Sequence, residues 1–176
     1  QQTPGISVRV ADMEALTAAC ENGADLVYIG GEAFKPAKPW TLKEISLAAE
    51  EAAKHNTKVV VTTPRVTMER ECGELEQFFT QLTQLPIAGI MVSNAGSLRL
   101  ARQCTELPIY ADFSFNVFNH LTTRWLKDNG ATQSTLSLEA TYEQIVAVSK
   151  NASLPLEMIV HGPMEAMVMD HCLPSA

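Results

Sequence analysis

The sequence predicts an α/β protein built as a (β/α) barrel of the TIM type, incomplete, with about seven parallel strands and six helices. Three observations lead there. Short apolar, β-branched runs alternate without a break with amphipathic helical stretches. Capping residues stand at the junctions between them. No Gly-x-Gly-x-x-Gly turn follows the first strand, as an open dinucleotide-binding sheet would require. An open, Rossmann-like sheet remains the structural alternative, since both arise from right-handed βα crossovers.

The buried-strand runs are Ile6–Val10, Leu26–Gly30, Lys58–Thr63, Ala88–Ser93, Ile109–Asp112, Thr135–Leu138 and Leu156–Val160. Between them, apolar residues recur at three-to-four spacing in Met13–Glu21, Leu42–His55, Gly73–Leu85, Ser97–Cys104, Leu121–Asn129 and Tyr142–Lys150. Asp12, Thr41 and Thr141 are placed to cap helix starts, the two threonines with an acidic partner in the first turn. Asn22-Gly23, His55-Asn56 and Asn129-Gly130 are placed to end helices, because Gly and Asn tolerate the left-handed conformation. The strand–helix step recurs about every 22 to 34 residues, close to one βα unit, without repetition of the sequence itself.

With 176 residues the chain suits a single domain, 1–176, and the opening Gln1 suggests a piece of a longer protein. No apolar run approaches the ~20 residues of a membrane span, so no membrane partner is expected. A net charge of −7 argues against this portion alone gripping nucleic acid, because neutralising phosphates takes a concentration of Lys and Arg. Cys20, Cys72, Cys104 and Cys172 lie far apart with no Cys-x-x-Cys pair, which points to neither a zinc knuckle nor a disulfide framework. A reducing, cytoplasmic location fits. A barrel short of its eighth unit leaves an open edge, so a homodimer is expected there.

In a barrel of this class functional groups gather where the strands end. Those exits carry Gly30-Gly31-Glu32, Thr62-Thr63-Pro64-Arg65, Ser93-Asn94, Asp112-Phe113-Ser114-Phe115-Asn116, Glu139 and His161-Gly162. Ser93 and Asn94 could equally cap the following helix, and Asn116 and Asn119 could satisfy loop backbone. Asp112 and Glu139 together would put two carboxylates at one mouth, with Arg65 as counter-charge or substrate anchor. Glu139 is the strongest single choice, because a carboxylate directly after a buried strand implies a charge partner.

The segment from Leu156 to Cys172 runs as a strand, a His161-Gly162 pair, then Glu165, Asp170, His171 and Cys172. It resembles the signature region of peptidase family U32, the collagenase-like proteases. Gly23-Ala24-Asp25-Leu26-Val27-Tyr28-Ile29-Gly30-Gly31, Thr41-Leu42-Lys43-Glu44, Val92-Ser93 and Asn116-Val117-Phe118-Asn119 are similar as well. The resemblance implies a peptidase that binds a peptide or small-molecule substrate at the mouth through Arg65, Ser93, Asn94, Asp112, Ser114 and Asn116. Glu139, His161 and Cys172 would then be its catalytic candidates. A thiolate nucleophile at Cys172 would need His171 or His161 to lower its pKa. A metal on His161, Glu165, Asp170 or His171 is a competing idea without a His-Glu-x-x-His pattern behind it. Glu165 stands where many members have a first signature cysteine, and Met169-Asp170 replaces Ser-Gly. Some relatives hydroxylate RNA bases or quinones with an iron–sulfur cluster on four cysteines. One cysteine at the place makes such a cluster unexpected within this chain. Hydroxylation of that kind and a non-catalytic binding or assembly role are the two alternatives.

Overall fold

The structure, a computed structural model, describes residues 4–31 and 39–163. Its centre is one sheet of seven parallel strands hydrogen-bonded in chain order: β1 (Ser7–Arg9), β2 (Leu26–Gly30), β3 (Lys58–Thr62), β4 (Gly89–Val92), β5 (Ile109–Ala111), β6 (Ala131–Thr135) and β7 (Leu156–Glu157). Six helices alternate with them: α1 (Met13–Glu21), α2 (Leu42–Ala53), α3 (Cys72–Leu82), α4 (Ala95–Cys104), α5 (His120–Asp128) and α6 (Tyr142–Asn151). Strand one lies at an edge and not in the middle, which excludes the doubly wound alternative and gives an open TIM-like barrel.

Local chemistry sets the helix ends. The Asp12 carboxylate accepts from the Ala15 N–H, and Thr41 and Glu44 form a reciprocal capping box. At α6 the box is closed by Gln144 and not by an acid. The neighbouring Glu143 carboxyl is still held low, by its own backbone N–H and then by the Thr141 hydroxyl. Gly23, Asn56 and Gly130 carry the chain out of α1, α2 and α5 at φ of +85°, +59° and +95°.

Each strand then divides its side chains between two environments. Val27, Ile29, Val59, Val61, Ile90, Val92, Ile109 and Ala111 face the helices and pack on Leu16, Ile45, Phe79, Leu82, Leu98 and Leu126. Burial of each large apolar side chain there contributes roughly 1.5–3 kcal/mol. The alternate residues turn into the barrel, where Tyr28, Val60 and Met91 pack with Leu26 and Tyr110. Tyr110 lies edge-on to Tyr28, with ring centroids 6.4 Å apart. Its ring also covers Gly89, where a Cβ would come within 2.6 Å of it.

Two strands differ from expectation. β6 runs over Ala131–Thr135 and not over 135–138, because Thr132, Gln133 and Ser134 make it polar to a composition-based reading. Its place follows from pairing: Thr132 Oγ1 donates to the Ile109 carbonyl across a register shift in β5. β7 is two residues long, since pairing to β6 stops at Thr135–Glu157. Met158, Ile159 and Val160 continue beyond it with large exposure.

Candidate functional site

The pairing register assembles the site. Val92, Ala111, Ser134 and Leu156 are partners across four neighbouring strands. One residue further along each stand Ser93, Asp112, Thr135 and Glu157, the last two being themselves a register pair. The row before it faces the helices, so this one faces the barrel interior. Two carboxylates therefore share one oblique row.

Asp112 directly follows β5 and is 3% exposed. Its Oδ1 accepts from the Phe113 N–H at 2.7 Å, and its Oδ2 accepts from Ser93 Oγ at 3.1 Å and Ser114 Oγ at 3.3 Å. Glu157 on β7 is held by hydroxyls from three other strands. Tyr28 donates to both of its oxygens, at 3.0 and 3.1 Å, Thr135 Oγ1 donates at 2.8 Å, and Ser7 Oγ donates to Oε1. Strand tilt makes this possible, because a row followed round a barrel returns displaced along the strands. β1 and β7 are thereby joined across the open side of the barrel. Burial, and then the Glu157 charge, push the Tyr28 hydroxyl far above its ordinary pKa. The same two causes raise Tyr110.

Glycine shapes the rim above. Gly30 and Gly31 have φ of +81° and +75°, and a Cβ on Gly31 would stand 2.5 Å from Thr62 Oγ1. Thr62 in turn donates to the Ile29 carbonyl. The β2 and β3 exits are thus pressed together. Arg65, just past β3, lays its guanidinium 4.8 Å from the centre of the Phe113 ring. The ring that carries this guanidinium belongs to the residue whose backbone N–H bonds Asp112.

The expected site residues divide. Asp112, Ser93 and Ser114 form one hydrogen-bonded set, and Arg65 lies on the ring of the neighbouring Phe113. Asn94 caps α4 by accepting from the Ser97 N–H, and donates to the Arg65 carbonyl, so it ties two exits together. Asn116 is exposed and supplies a left-handed turn at φ 50°. Asn119 caps α5 through Thr122.

Glu139 is exposed in the turn after β6. The reason is the true position of that strand: it ends at Thr135, so Glu139 lies four residues beyond it and not at its tip. The expected desolvation is absent at this position. His161 is likewise exposed, because β7 ends at Glu157 and does not deliver it. Cys172, with Glu32, Glu165, Asp170 and His171, lies outside the described residues. Cys20, Cys72 and Cys104 belong to three separate helices on the outer layer. Among the described residues no three His, Cys, Asp or Glu side chains converge as a metal site. No helix among them is long and apolar enough to cross a membrane.

The residue that sequence reasoning missed is Glu157. The sequence shows it only as an acid in the apolar run Leu156–Val160, without the direction in which it faces.

Known proteins resemble this chain in sequence and in fold. Over 176 residues the chain is 24% identical to "tRNA hydroxylation protein P1" of Bacillus subtilis (strain 168), covering 98% of this chain and 42% of that protein. It is 24% identical to "tRNA hydroxylation protein P2" of the same organism over 143 residues, covering 80% of this chain and 46% of that one. The chain thus spans less than half the length of the curated relatives it matches. The solved structure of the U32 peptidase Mk0906 superposes with a TM-score of 0.70 at 14% identity, over 90% of this chain and 70% of that one, which shows a shared fold. The model of Peptidase family U32 matches residues 11–176, and the chain belongs to that family.

Proposed function

We propose that this chain is the base-binding barrel of a tRNA-hydroxylation protein. The observation that carries the reading is the Asp112 cluster together with the Arg65–Phe113 pair, whose ring follows Asp112 in the same exit turn. Proteins that act on single RNA bases stack them on aromatic rings or guanidinium planes and bond their edges. Phe113 and Arg65 supply the planes, and Asp112 supplies an acceptor for a base N–H. The names of the two Bacillus subtilis relatives support the same class of substrate. With a net charge of −7 the chain grips few phosphates itself. The backbone of the tRNA falls to the remainder of a longer protein, and this barrel takes the base.

The test is genetic and chemical together. Deletion of the gene should remove a hydroxylated nucleoside from digested tRNA, measured by mass spectrometry, and the full-length protein should restore it. Asp112→Asn and Phe113→Ala should fail to restore it while accumulating to normal levels. An unchanged nucleoside profile on deletion overturns the reading. For a peptidase, which the family's name suggests, Cys172 is the candidate nucleophile. Peptide cleavage by the purified full-length protein that is lost in Cys172→Ser would establish that instead.

A further inference from the structure

We infer that the hydroxyls bonded to Asp112 and Glu157 present hydrogen-bond acceptors only, and so select a ligand by the N–H or O–H donors it carries. This rests on the base-binding reading and narrows it. An ionised carboxylate can only accept, so each hydroxyl bonded to one must point its single proton at it. Ser93 and Ser114 are committed in this way to Asp112. Ser7, Tyr28 and Thr135 are committed to Glu157. Five hydroxyls that could each have served a ligand in either sense keep only oxygen lone pairs to offer.

The arrangement extends over β1, β2, β4, β6 and β7 together with the turn after β5, so it is a property of the lumen and not of one loop. Barrel interiors are ordinarily filled with branched apolar side chains. Here two carboxylates stand beside Val60, Met91 and Leu26 and orient every hydroxyl that touches them. Such a lumen accepts an imino or amino edge, or a polyol, entering past Phe113. It repels phosphate and carboxylate groups, which bring lone pairs and negative charge to a surface made of both. A nucleobase can therefore enter while its own phosphate stays outside.

Paired ligands differing in one donor test this on the full-length protein. Each of the four ribonucleosides is titrated beside the analogue whose base N–H groups are methylated, with binding followed by calorimetry. A primary aromatic amide beside its N,N-dimethyl form provides the same contrast outside nucleic acid. At least one donor-bearing member should bind about tenfold more tightly than its methylated partner. In Asp112→Asn the preference should shrink or reverse, because an amide places N–H donors in the site; Ser114→Ala should weaken it without reversal. Equal binding within every pair, binding of no member, or tighter binding of nucleoside monophosphates at the same site overturns the inference. A donor preference in the amide pair with no nucleoside bound leaves the inference standing and removes the RNA-base reading. Equal binding while tRNA hydroxylation persists does the opposite.

Discussion

The two faces of β2 to β5 are built from one alternating sequence, yet they follow opposite rules. On the outer face Val27, Val61, Ile90 and Ile109 meet apolar helix side chains in the main core. On the inner face Tyr28 and Tyr110 bring hydroxyl-bearing rings into contact with a carboxylate network. Period-two alternation usually separates core from solvent. Here it separates a core from a site. Substitutions on the outer face should change stability and leave recognition alone, and those on the inner face should change recognition as well.

The largest effect expected on that basis is at Phe79 of α3, which is fully buried in the outer layer. Phe79→Ala should cost about 3–5 kcal/mol through lost burial and the cavity left behind. Chemical denaturation measures this, and ligand preference in the folded fraction should not move. A loss below about 1 kcal/mol would show that the helix layer tolerates a void and would weaken the division between faces.

Gly89 tests the border between the faces, since its absent side chain is what lets the Tyr110 ring lie across β4. A Cβ there would also clash with the Pro108 carbonyl, which is backbone and cannot swing away. Gly89→Ala should therefore cost about 1–3 kcal/mol by overpacking, and it should also disturb ligand binding because Tyr110 must move. A variant that is destabilised but binds normally would place Tyr110 outside the recognition surface.

Tyr28 gives a third test through pH. Its folded pKa lies above the unfolded value of 10.0. The unfolded chain then loses this proton first, so the contribution to stability is complete below about pH 10 and is lost as pH rises further. Stability in urea should fall from pH 10 upward more steeply than in Tyr28→Phe. At neutral pH the Phe variant should be less stable by about 1.5–3 kcal/mol, because Glu157 loses one of its three donors. Parallel pH curves for the two proteins would mean that Tyr28 already ionises in the folded state.

The two faces were also unequally legible in the sequence. The outer layer announces itself, because runs such as Lys58–Thr62 and Gly89–Val92 are apolar at nearly every position and parallel strands are buried on both sides. α1 and β2 could be bounded to the residue. β6 could not, since its interior holds Thr132, Gln133 and Ser134, and only pairing with β5 identifies it as a strand. That single misplacement moved Glu139 from an exposed turn to a strand tip. Asp112, Ser93 and Ser114 were readable because they follow apolar runs directly. Glu157 was not, because its partners Ser7 and Tyr28 lie 150 and 129 residues away and meet it only when the sheet curls. Proximity of that kind is a product of strand tilt, which no local pattern records.

The smallest expected effect sharpens the comparison most cheaply. Glu139 has the residue type of an active-site acid and stands in the loop after an inward-facing strand, yet it is exposed and its backbone N–H is what bonds to Ser137. A carboxylate surrounded by water gains little from any one partner, since screening leaves surface charge pairs worth about 0–1 kcal/mol. Glu139→Gln should accordingly leave the denaturation midpoint and the tRNA nucleoside profile unchanged within about twofold, whereas Asp112→Asn should abolish the modification. The pair of variants asks whether the chemistry belongs to the buried row or to the rim. A strong loss of activity in Glu139→Gln, with stability intact, would mean that the rim closes over the ligand and that an acid exposed in the empty barrel becomes part of the site once it is filled.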